Sequence, residues 1–210
     1  KNGKQNKFEI PNMTNPAYVA RVDYSGVKNT RFGISAYYTP STAKNSTKPS
    51  RMEGIKGAIT ILSADAQYYS RDIIARANVI YGNLTESDLI YKENLRNPTA
   101  LGYSETPVAK DVLTYGAEVG YNIGAFFNHK FNLFPFVRYE YYNSMHKTAN
   151  NISADPRYKV DLITAGLNYY ILPNLVAKAD YARRWIGGGR FNNESTISLG
   201  LAYIGWFFSK

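Results

Sequence analysis

The chain contains no cysteine. That absence removes disulfide frameworks, thiolate zinc sites and cysteine nucleophiles together. It leaves the compartment open, although a cysteine-free chain folds in an oxidising envelope without mispairing. No run of about eighteen or more apolar residues occurs, so no segment reads as a transmembrane helix. Blocks of like charge are missing as well. Lys+Arg 25 stands against Asp+Glu 16, formally +9, yet apart from Lys1, Lys4 and Lys7 the basic residues are dispersed. A nucleic-acid interface needs a clustered patch, so no nucleic-acid partner is expected. The two histidines, His129 and His146, lie in connections without ligand spacing, so neither a metal nor any other cofactor is implied. Finally, apolar residues nowhere recur at helical spacing, and no amphipathic helix is expected.

What the chain has in abundance is tyrosine, 19 against 10 Phe and 2 Trp. Tyrosine favours strands and suits a boundary where one end is apolar and the other wet. It recurs inside stretches that alternate with a period of two, the spacing of a β-strand. Tyr18, Ala20, Val22 and Tyr24 alternate with Arg21 and Asp23; Phe32, Ile34, Ala36 and Tyr38 follow with Gly33 and Ser35. Leu62, Ala64, Ala66 and Tyr68 oppose Ser63, Asp65 and Gln67, while Ile59 and Ile61 have the other parity, which predicts a bulge or a protruding hairpin there. Ile73 to Tyr81, Leu113 to Ile123, Pro135 to Tyr141, Ile163 to Ile171 and Leu175 to Tyr181 repeat the pattern. The last stretch, Ile197, Leu199, Leu201 and Tyr203 against Ser198, Gly200 and Ala202, closes on Trp206, Phe207 and Phe208. About nine strands of about ten residues result. Strands in soluble sandwiches average five or six, whereas tilted membrane strands need about nine to eleven.

Two regularities favour a membrane barrel. Connections are tight after Ser25, Tyr69, Ile123 and Ile171, and long near 40–55, 84–110 and 143–158, with a medium glycine-rich one near 187–193. Short turns on one rim and long loops on the other characterise outer-membrane barrels. The polar face also carries charges at mid-strand: Arg21, Asp23, Arg76, Glu118, Arg138, Glu140, Lys178, Asp180 and Arg184. In a barrel these line the pore. Five positive against four negative gives a slight anion preference, since Arg or Lys in a pore favours anions; mutual salt bridges that rigidify the lumen are the equal alternative. Tyr24, Tyr38, Tyr69, Tyr81, Tyr121, Tyr141, Tyr169, Tyr181, Tyr203 and Trp206 form interface girdles in this reading, with sugar-stacking platforms as the other. No catalytic residue is singled out: no Ser-His-Asp arrangement fits these strands, and residues 187–189 lack the strand–loop–helix setting of a phosphate loop.

Residues 1–16 read as a polar loop or the end of a preceding element, and 17–208 as the strand region. If the last strand ends on the short-turn side, the first also runs downward and the strand count is odd. Bacterial single-chain barrels have even counts. Either residues 1–16 hide another strand or the chain is part of a larger barrel; the sequence opens on Lys1 rather than Met and shows no leader-like run, which favours the second, so the expectation is the C-terminal portion of a larger even-stranded barrel. The stretches N-P-A-Y-V-A-R-V-D-Y (15–24), F-V-R-Y-E-Y-Y-N (136–143), T-A-G-L-N-Y-Y-I-L-P-N-L-V-A-K-A-D-Y (164–181) and the closing L-A-Y-I-G-W-F-F resemble the C-terminal half of a Gram-negative outer-membrane porin, nearest to the phosphate-selective porin O and P family. The resemblance covers most of the chain in texture more than in fixed motif. It implies an all-β antiparallel barrel in the bacterial outer membrane, in contact with lipid and lipopolysaccharide, commonly a homotrimer, passing small solutes such as inorganic anions. It does not carry over phosphate selectivity, because the family's arginine and lysine ladder is not matched residue by residue. Two other classes fit the sequence: a non-conducting structural barrel in a larger envelope complex, and a soluble β-sandwich binding module.

Overall fold

The computed structural model describes residues 15–42, 54–96, 107–149 and 152–203 of the chain. The Trp206–Phe208 cluster, most of the 1–16 loop and the middles of the 40–55 and 84–110 connections lie outside the described residues. The described residues form one nine-stranded antiparallel sheet in simple sequence order. Its strands are β1 (Tyr18–Tyr24), β2 (Thr30–Thr39), β3 (Ile59–Tyr69), β4 (Ile73–Leu84), β5 (Ala109–Tyr121), β6 (Asn132–Thr148), β7 (Lys159–Leu172), β8 (Leu175–Ile186) and β9 (Asn193–Tyr203). The alternating, Tyr- and Val-rich runs become strands because branched and aromatic side chains pack well on a pleated surface. The turns at one end are tight. Residues 25–29 close with Asn29 in the left-handed region (φ 62), a conformation that asparagine tolerates. Ser70 binds Ile73 both ways across the next turn, its N–H reaching Ile73 O at 2.9 Å and its Oγ accepting from Ile73 N at 2.9 Å.

The pairing register runs so that residues of one parity stay on one side across all nine strands. Val22 stands opposite Ile34, Ile34 opposite Ala64, Ala64 opposite Val79, Val79 opposite Tyr115, and Tyr115 opposite Tyr141. The apolar alternation of each strand therefore merges into one continuous apolar side, and the polar alternation into the other. The sheet is a single layer, and the apolar side carries no second layer among the described residues. Val119 and Val137, opposite one another on β5 and β6, are 56% and 53% exposed. On the polar side the side chains shelter one another: Thr164 is buried, and Glu118 is only 17% exposed. This inverts the arrangement of a soluble sheet, whose apolar side is covered. The β-sandwich reading fails here, because all nine strands lie in one sheet.

Three sequence expectations are corrected. No bulge interrupts β3: its register with β2 and β4 is continuous, so Ile59 and Ile61 face the polar side. Ile61 and Val112 flank Gly82 there. Nearby, the side chains of Ile90 and Leu84 converge on Gly57. Ile90 belongs to the second correction, an α-helix, α1 (Ser87–Arg96), in the stretch that reads as polar connection. Its apolar residues are too few to show a period, and it is held instead by Asp88 in the first turn, Arg96 in the last, and Lys92–Asp88 and Arg96–Glu93 pairs at 3.4 and 3.5 Å. Neither α1 nor any other described helix is long and apolar enough to cross a membrane. Third, β6 continues to Thr148, past the expected loop start at 143, through register shifts against β5 that place Lys147 opposite Asp111.

Gly166 shows how tightly neighbouring strands approach on the polar side. A Cβ there would fall 2.6 Å from Ala179 O and 2.7 Å from Phe136 Cε1, whereas one at Gly200 meets nothing within 4 Å. Gly166→Val is expected to lower stability by about 1–3 kcal/mol, read as a lower urea midpoint of tryptophan emission, while Gly200→Ala stays within about 0.5 kcal/mol.

Candidate functional site

All nine charged residues singled out from the sequence stand on the polar side of the sheet, and the register arranges six of them in two adjacent rows perpendicular to the strands, with Arg21, Lys178 and Asp180 outside those rows. In the first, Asp23, Gly33, Asp65, Asn78, Gly116, Glu140, Leu162, Arg184 and Glu194 face one another in turn. In the second, one residue pair further along, the order is Arg31, Gln67, Arg76, Glu118, Arg138, Thr164, Ala182 and Thr196. Carboxylates dominate the first row and guanidinium groups the second. A row of like charge is tolerable only beside a row of the opposite sign at a few ångströms.

The side chains close that gap in two clusters. On β1–β3, Arg21 chelates Asp23 with Nε to Oδ2 at 2.9 Å and an outer nitrogen to Oδ1 at 2.8 Å, and reaches Asp65 at 2.8 Å. Arg31 approaches Asp23 at 4.0 Å. On β4–β6, Glu118 lies between two arginines, 3.5 Å from Arg76 and 3.8 Å from Arg138. Arg138 Nε lies 3.2 Å from Glu140, but the angle makes this an ion pair and no hydrogen bond. Arg184 binds Glu194 across β8–β9. Lys178 and Asp180 share β8, between Asn168 and Gly166 of β7 and Gly200 and Ser198 of β9. These pairs are partly exposed, so each adds little to stability; their weight lies in fixing where charge sits.

Reading the sequence missed three members of this band. Asp65, Arg31 and Glu194 lie on the same side and pair with residues already singled out. Their parity in the alternation was the available signal, but cross-strand partnership is invisible without the register. With them the band holds six cations (Arg21, Arg31, Arg76, Arg138, Lys178, Arg184) and six anions (Asp23, Asp65, Glu118, Glu140, Asp180, Glu194). The five-to-four excess disappears.

The aromatic residues form two lines on the apolar side. Tyr18, Tyr38, Tyr81, Tyr115, Tyr141 and Tyr181 lie toward the long connections; Tyr24, Phe32, Tyr68, Tyr121, Tyr169 and Tyr203 lie toward the tight turns. Tyr69 is the exception to the expected girdle. It faces the polar side, with the Arg76 guanidinium 5.7 Å from its ring, and Tyr68 takes the outer place. Tyr115 stacks on Tyr141 at 4.8 Å, and Tyr139 donates to Asp161 at 2.6 Å just beyond the line. Arg183, Asn193 and Trp185 continue this polar margin: Arg183 lies 5.3 Å over the Trp185 ring and donates to Asn193.

At the tight-turn end a buried asparagine organises the longest of those turns. Asn122 Oδ1 accepts from Gly124 N and Leu133 N, and its amide donates to Asn132 and Asp72. Asp72 also contacts His129 Nε2 at 2.8 Å. At the long-loop end Asp155 caps a 3₁₀ turn, Pro156–Tyr158, accepting from Arg157 N at 2.9 Å and from its guanidinium at 2.6 Å.

No family model matches the chain, and no curated protein matches it.

The Arg157 guanidinium and backbone N–H hold the Asp155 carboxyl below its ordinary range, and desolvation opposes them only in part. A depressed carboxyl stabilises the turn above its unfolded value, about 3.9, and that contribution is lost as pH falls through the lower folded value. Amide exchange at residues 157–158 is therefore expected to stay slow from neutral pH down through the ordinary carboxylate range and to accelerate only below it. Asp155→Ala accelerates it at neutral pH.

Proposed function

We propose that the chain forms the wall of an outer-membrane β-barrel channel for small hydrophilic solutes, its polar side lining the lumen and its apolar side facing lipid and lipopolysaccharide. The observation that carries this reading is the bare apolar side between two aromatic lines. Moving one large apolar side chain out of water is worth about 1.5–3 kcal/mol. More than twenty stand exposed there, Leu199 at 82% among them, so leaving that side in water forfeits tens of kcal/mol against a net stability of about 5–15. Lipid removes the deficit. The dimensions agree: four or five outward apolar residues per strand, tilted by about 40°, span on the order of 20–25 Å, the height of the apolar band of such barrels.

Closure follows from strand direction. With nine antiparallel neighbours in order, β1 and β9 run the same way, so a direct seam between them would be parallel. An antiparallel seam on both edges takes an odd number of further strands, which makes the whole an even-stranded barrel. The likeness to the phosphate-selective porin O and P family, including its homotrimeric habit, belongs to this reading. Selectivity departs from the sequence expectation. A band of six cations and six anions, mostly paired, favours neither sign.

The same paired band favours a second reading, a non-conducting barrel whose braced lumen serves a structural role in an envelope complex. Planar-bilayer recording separates the two. The channel reading predicts discrete conductance steps and a reversal potential near zero in a potassium chloride gradient, and protein that inserts without steps contradicts it. Glu118→Gln unbalances Arg76 and Arg138 and is expected to shift the reversal potential toward anion preference; Arg138→Gln shifts it toward cations. Identical reversal potentials in both variants would remove the band from the conduction path.

A further inference from the structure

We infer that the polar side of the sheet carries, at its tight-turn end, a binding site for a small carboxylate borne on a planar apolar ring. Charge dominates the middle of that side, but its last rows turn aromatic. Phe134, Phe136 and Tyr170 all project there from β6 and β7. Phe134 is buried and meets Tyr170 edge-on with ring centroids 5.6 Å apart. Phe136 lies across Gly120 and Gly166, on the strands either side, where any Cβ would come within 3.3 and 2.7 Å of it. The rings are thus held before any ligand arrives, which removes an ordering cost from binding.

A cavity of about 390 Å³ opens beside this shelf, bounded by Arg71, His129, Asn132, Phe134, Tyr170 and Pro173. That volume suits a small organic molecule. Its electrostatics are lopsided. Asp72, the carboxylate next to the cavity, is already engaged by His129 at 2.8 Å and by Asn122 at 3.4 Å. Arg71 is exposed in the tight turn and pairs with no carboxylate among the described residues. A free guanidinium presents a planar fork that matches a carboxylate with two parallel hydrogen bonds. Beside it stand aromatic faces and edges that favour a ring over an alkyl chain. Neither half alone is selective; together they specify an anionic head and a flat apolar body.

The cavity is built from β6, β7 and the turns between β3 and β4, β5 and β6, and β7 and β8, so its existence does not depend on conduction. Its part in choosing solutes at the tight-turn mouth does rest on the channel reading. Calorimetric titration of the detergent-solubilised chain tests it, with benzoate, acetate and benzyl alcohol as probes. Benzoate is expected to saturate with a Kd of about 1 mM or tighter, and acetate and benzyl alcohol to bind on the order of tenfold more weakly. Arg71→Gln should lose about tenfold for benzoate and nothing for benzyl alcohol; Tyr170→Leu should weaken both ring compounds. Absence of saturation by about 50 mM benzoate, equal binding of benzoate and benzyl alcohol, or an unchanged Arg71→Gln titration overturns the site. Benzoate binding without bilayer conductance would leave the site standing and remove the channel; conductance without binding would do the reverse.

Discussion

The cross-strand ladder holds one parity on one side from β1 to β9, and every other property of the molecule depends on that constraint. The side-chain period of a strand is two, so a slip of a single residue in any pairing would send that strand's apolar set to the polar side. In the middles of the strands no such slip occurs. The shifts that do occur lie at the ends, where β5 meets the extended β6 and where β7 turns into β8. They leave intact the stretch between the two aromatic lines.

With register fixed, the electrostatics follow. Carboxylates dominate one row and arginines the next because charges on a strand stand two residues apart along a common side: Arg138 and Glu140 on β6 place one charge in each row, while Arg21 on β1 flanks Asp23 from the other side of the carboxylate row. Glu118 between Arg76 and Arg138 then couples three strands. Glycines fill the gaps in these rows. Gly33 leaves room for Arg21 to reach Asp65, since a Cβ there would lie 2.2 Å from the Arg21 guanidinium. The aromatic end of the same side uses glycine in the same way around Phe136. Small residues on the polar side therefore serve its large ones.

The strands were legible in the sequence because alternation is local: Leu113 to Tyr121 states its two faces without reference to anything else. The same holds for the sorting of tight turns and long connections. What was not legible depends on partners far along the chain. Asp65 lies 44 positions from Arg21, and only the register brings the two together. Ile61 read as a fault in its strand because its companion on the polar side, Val112, with which it flanks Gly82, was unknown. Helix α1 itself escaped because end charges, one i,i+4 pair and one i,i+3 pair hold it, with few apolar residues to show a period. Tyr69 and Tyr68 are adjacent, and the alternation of Leu62, Ala64, Ala66 and Tyr68 already pointed to Tyr68 as the outward one, against the choice of Tyr69 for the girdle.

The account stands on the claim that the apolar side meets lipid and the polar side meets water. The absence of cysteine allows a direct measurement, with single cysteines placed one at a time along β5 in the chain reconstituted into vesicles and challenged with a membrane-impermeant maleimide. The account predicts labelling at Thr114→Cys, Gly116→Cys and Glu118→Cys and protection at Tyr115→Cys, Ala117→Cys and Val119→Cys, an alternation that disappears when detergent replaces lipid. Equal labelling at both parities in vesicles, or protection of the even positions alone, would contradict it.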